Sequence, residues 1–77
     1  MPRALKYSVI YSRSPGGGYS AFFPAFPEIT VWYPTLKECQ RAAPEALQLH
    51  IDGLVALGEA PARERKIISD SVTVRVG

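Results

Sequence analysis

The residues able to do chemistry in this 77-residue chain are few, and their spacing keeps them apart. Cys39 and His50 are its single thiol and single imidazole. On one helix, eleven residues separate them by roughly 16 Å. Neither a shared metal nor a thiolate–imidazole pair spans that gap. Burial on the core side of a helix accounts for both, since cysteine is among the residues most often found inside. Gly16-Gly17-Gly18 lacks the Lys-Ser or Lys-Thr ending and the following helix of a phosphate-binding loop. A strand follows it instead, as in a glycine-rich hairpin. Glu38, Glu45, Asp52 and Glu59 recur every seven residues, the spacing of a solvated helix face. No carboxylates pair on strands, where a metal-dependent nuclease would hold its ions. The sequence therefore yields no catalytic residue, no cofactor-binding residue and no metal ligand set, and no enzyme is expected.

Two surfaces remain as candidates. Arg63, Arg65 and Lys66 form a small basic cluster, with Arg3 and Lys6 brought near it through the first strand. Such a cluster can touch RNA phosphates or an acidic partner. A charge run of this size is more commonly a solvated connector. The second surface is an apolar excess where water is expected. Ile10, Phe22 and Trp32 alternate with the helix-facing residues of their strands, so parity puts them on the opposite face of the sheet. Ala42, Leu49 and Ala56 add a thinner stripe on the back of the helix. An aromatic patch on a thin sheet marks an interface. Ile10, Phe22, Trp32 and Leu49 are accordingly expected to join copies of the chain into a dimer or higher oligomer.

The elements that must position these residues follow from periodicity. Residues 5–11 alternate, with Leu5, Tyr7, Val9 and Tyr11 on one face, and read as a strand. Ser14-Pro15-Gly16-Gly17-Gly18 is a loop, because proline fixes one φ and the glycines supply positive φ. Residues 19–23 return as a second strand that Pro24 ends by removing a ladder donor. Pro24 and Pro27 bracket a short turn, and residues 29–33 form a third strand of β-branched and aromatic residues. Thr35 and Glu38 make a capping box at the start of a helix. Leu36, Ala43, Leu47 and Leu54 define its apolar stripe, flanked by Cys39, His50, Ile51 and Leu57. Gly58 and Pro61 end it. Pro44 lies inside this helix and predicts a kink over 40–44 in a single bent helix. After a charged connector, residues 71–76 alternate as a last strand.

The expected fold is thus α+β in the order β-β-β-α-β, one domain over residues 1–77. Three strands form an antiparallel meander, and the final strand lies parallel beside the first through a right-handed crossover. The long kinked helix packs on one face. Charge is too nearly balanced, nine Lys plus Arg against seven Asp plus Glu, to argue for nucleic acid by itself. One cysteine gives no disulfide framework, the N-terminal residues lack a signal-peptide run, and no stretch reaches the roughly 20 apolar residues of a membrane span. A cytoplasmic address follows by elimination.

Gly18-Tyr19-Ser20-Ala21-Phe22-Phe23-Pro24, then Phe26-Pro27, then Thr35-Leu36-Lys37-Glu38 and the alanine-rich helix resemble the HicB-like antitoxin family. Gly58-Glu59-Ala60-Pro61 is similar to that family's exit from its helix. The resemblance covers about residues 5–62. Ala25 and Glu28 stand where the family usually carries an acidic residue and a glycine, and Tyr33-Pro34 replaces a frequent glycine. It implies a partial RNase H-like fold, a stand-alone domain without the family's DNA-binding extension, and a small HicA-like RNA-cleaving toxin as partner. It carries no nuclease activity, because residues 5–11 and 72–76 contain no Asp or Glu. The competing expectation is a small RNA- or ligand-binding module. It would use Arg63, Arg65 and Lys66 with Tyr19, Trp32 and Tyr33 as stacking platforms.

Overall fold

The structure, a computed structural model, describes residues 4–77 and has the α+β order β1 (Ile10–Arg13), β2 (Tyr19–Phe22), β3 (Val31–Tyr33) and α1 (Leu36–Ala56). The three strands form the expected antiparallel meander in the order β1-β2-β3. Ile10 pairs with Phe22 and Tyr11 with Ala21 across the first hairpin, while Ala21 pairs with Val31 and Ser20 with Trp32 across the second. The loop between β1 and β2 is closed by Ser14 N–H to Gly18 O and Gly17 N–H to Ser14 O, with Gly17 and Gly18 both at positive φ.

β1 begins at Ile10, five residues later than the alternation suggests. Carried back from the Ile10–Phe22 pair, the register sets Ser8 opposite Pro24, which has no N–H to offer. The Ser8 N–H donates to the Glu64 carboxylate instead. β3 likewise starts at Val31, because the Ile29 N–H is spent on the Phe26 carbonyl in a turn. A preceding turn, Phe26 N–H to Phe23 O, rolls the chain so that both phenylalanines point inward. Phe23 and Phe26 are almost wholly buried, together with Ala21, Val31, Cys39 and Ala43, and this group is the core.

α1 opens on Thr35, whose hydroxyl accepts from the Glu38 N–H at 3.2 Å, the first half of the expected box. It runs unbroken through Pro44. It ends in a Schellman motif at Gly58 (φ +79°), with Glu59 N–H on Leu54 O and Gly58 N–H on Val55 O. Cys39 and Ala43 face the core, with Leu47, Ile51 and Leu54 partly covered. Leu36 and Leu57, expected on the same stripe, are exposed. The helix packs across β2 and β3.

Residues 59–77 carry neither helix nor strand. The parallel strand expected at 71–76 is therefore not formed beside β1. Alternation makes a segment competent for a ladder but supplies no partner, and here Val72, Val74 and Val76 stay 74–92 % exposed. The connector is tied early, by Tyr7 Oη–H on Ala62 O and by the Glu64 contact to Ser8. Beyond it the chain leads away. The radius of gyration is 15.0 Å, against about 11–12 Å for a compact chain of this length.

Candidate functional site

Strand parity sorts the sheet into two faces. Tyr11, Ala21 and Val31 form a cross-strand row under the helix. Ile10 and Phe22, directly opposite each other, and Trp32 one pair along, belong to the other face. All three are about half exposed, at 48 %, 45 % and 51 %. Leu49, on α1, is still more exposed. It shares with Trp32, Tyr33 and Ala46 an open cleft of about 460 Å³ around the β3 edge. The structure thus places three of the four interface candidates on one face of the sheet, and Leu49 on the helix adjoins Trp32 at the β3 edge.

Trp32 is also held from behind. Its Nε1–H donates to Gly17 O at 3.1 Å, and the indole lies flat over Gly18 where a Cβ would stand. This contact explains the third glycine. Gly18 needs both a positive φ and the absence of a side chain. The tryptophan is fixed in orientation with one ring face open, the state in which an aromatic anchor loses least entropy on contact.

The basic cluster lies elsewhere. Arg63, Glu64, Arg65 and Ile67 border a hollow with Pro24 and Ala25, at the end of the sheet away from the glycine loop. Pro24 is four residues beyond Ser20, the partner of Trp32, or roughly 13 Å along a strand. Lys66 does not line that hollow, and Arg3 lies outside the described residues. Tyr19 and Tyr33 pair with each other on the helix-side parity, so Trp32 is on the opposite face from both. The aromatic and basic groups of the RNA-binding expectation are therefore not assembled into one surface. Cations that do neighbour the tyrosine row are Arg13, paired with Tyr19, and Arg41, which borders a hollow with Tyr33. Sequence reasoning missed Arg13 because that neighbour is set by hairpin register.

Cys39 and His50 sit on the same helix with different surroundings. Cys39 is fully buried, and burial pushes its thiol pKa up. The same burial effect, with Cys39 nearby, raises that of Tyr11. A thiol so placed is a poor nucleophile. His50 packs edge-to-face on Phe26 with ring centroids 5.3 Å apart. Its Nε2 comes within 2.9 Å of Glu28 Oε2, out of line for a hydrogen bond, so attraction there requires the protonated ring. The Phe26–His50 packing sets the 23–29 loop against α1. Glu45, Asp52 and Glu59 are exposed, Asp52 accepting from Gln48 at 2.8 Å. Among the described residues no three His, Cys, Asp or Glu gather where a metal could bind, and no helix is long and apolar enough to cross a membrane.

Comparison with protein-family models, with curated proteins and with solved structures finds no match to this chain.

Proposed function

We propose that this chain is a non-catalytic protein-interaction domain of the HicB-like kind, acting as a homo-oligomer and neutralising a small RNA-cleaving toxin in the cytoplasm. The observation that carries the reading is the Ile10–Phe22–Trp32 flank, half open to solvent and with Trp32 held in place by the Gly17–Gly18 loop. Apolar anchors that are pre-ordered and clustered are the usual core of a protein contact. The motif from Gly18 to Pro24 supplies the family and the kind of partner. The complete domain in this reading has a fourth strand, residues 71–76, parallel beside β1. It also has a bend in α1 at Pro44, where the ring removes one helical hydrogen bond.

Affinity capture with the wild-type chain from its source cells tests the partner. A small basic RNase-like protein is expected in the complex, with its RNA cleavage suppressed at equimolar chain. Recovery of no such protein, or cleavage that proceeds unchanged, overturns the antitoxin assignment.

A further inference from the structure

A second feature of the molecule lies away from the aromatic flank. Beside β1, under the overhang of α1, runs an open apolar groove of about 370 Å³ lined by Leu5, Tyr7, Val9, Pro44 and Leu47. The helix packs on β2 and β3, which leaves this side of its apolar stripe only partly covered. The outer edge of β1 is free, since the sheet order is β1-β2-β3. The groove is thus the place a fourth strand would fill, with apolar side chains required at every second position.

The same chain carries a segment of that description. Val72, Val74 and Val76 alternate with Thr73 and Arg75 and are 84 %, 74 % and 92 % exposed. From the structure we infer that the 71–76 arm of one copy adds as a strand to the β1 edge of a second copy, its three valines entering that copy's groove. The inference rests on the self-association proposed above and names the element that makes it.

Two physical arguments select a second copy over the arm's own groove. Ala62 and Glu64 are already fastened at Tyr7 and Ser8. Beyond these ties the arm leaves its own groove open, with all three valines at least 74 % exposed, and so presents them to a neighbour. Short connectors of this kind favour exchange of identical elements. The second argument is area. Phe22 and Trp32 from two copies are four rings of about 150–250 Å² each, already about half covered. They add roughly 300–500 Å², short of the about 1,000 Å² that a specific interface clears. Two exchanged arms supply the rest.

Sedimentation equilibrium at micromolar chain decides the point, with far-UV circular dichroism to verify folding. The wild type is expected at twice the chain mass. Val74→Asp sets an unpaired carboxylate among the three valines that enter the groove. It is expected to fall to one chain mass with its dichroism unchanged, because the arm contributes no helix or strand to its own domain. A double-cysteine chain, Val9→Cys with Val74→Cys, is expected to oxidise to linked dimers rather than to internally linked monomers. If Val74→Asp stays dimeric while Phe22→Lys becomes monomeric, exchange is overturned and self-association through the flank stands. A wild-type monomer overturns both. Internally linked monomers place the arm in its own groove and overturn exchange alone.

Discussion

Residues 4–58 and residues 59–77 have similar apolar appetite and opposite fates. In the first region two backbone turns, Phe26 N–H to Phe23 O and Ile29 N–H to Phe26 O, roll the 23–31 stretch inward, and Phe23, Phe26 and Val31 lose nearly all contact with water. In the second, Ile68, Val72, Val74 and Val76 keep more than seven-tenths of their surface wet. Their β propensity is no lower than that of β3. What differs is a partner. The meander hands each strand a neighbour through a short loop, while the segment after α1 meets the domain at Tyr7, Ser8 and the Pro24–Ala25 turn without pairing as a strand. Propensity without a paired strand yields an arm.

That contrast is broken most directly by truncating one side chain in each region. Phe23→Ala should cost about 3–5 kcal/mol in urea unfolding, close to the whole stability of so small a domain. Val74→Ala, measured at a concentration low enough for single chains, should fall within about 0.5 kcal/mol of wild type. Comparable losses at the two positions would mean that the arm is packed in the monomer.

A smaller effect sharpens the account of the aromatic flank. Gly18→Ala places a methyl where the indole of Trp32 lies and forces an L residue to φ +79°. The conformational penalty alone is about 1–2 kcal/mol. Trp32 emission should shift to the red as the ring is displaced. A variant with unchanged stability and emission would show that the glycine loop does not hold the tryptophan.

The smallest expected effect is a pH dependence confined to the packed region. Burial raises the pKa of Cys39 and of Tyr11, so both bind their protons more tightly folded than unfolded. Their contribution to stability is complete below the unfolded thiol value of about 8.5 and is lost as pH rises through the folded values. Urea midpoints should decline between pH 8 and pH 11, less steeply in Cys39→Ala. An equal decline in the two proteins would assign the effect to Tyr11 alone.

Much of this was legible in the residues, and for local reasons. Thr35 as N-cap, Gly58 as helix end, the glycine loop and the period-2 parity of Ile10, Phe22 and Trp32 each depend on neighbours within a few positions, and the structure has them all. Other features are set at longer range. The inward turn of Phe26 depends on two hydrogen bonds, one spanning Pro24 and one spanning Pro27, and its core position lies outside any period-2 or period-3.6 run. The late start of β1 follows from Ser8 facing a proline sixteen residues away. The pairing of Arg13 with Tyr19, and the distance of the basic cluster from Trp32, were fixed by hairpin register and by where the connector is tied. The sequence by itself therefore determined which segments can be strand or helix and which faces they make apolar, because those properties are local. Only the tertiary structure decided which of those faces found cover, because burial requires a partner within reach of the chain.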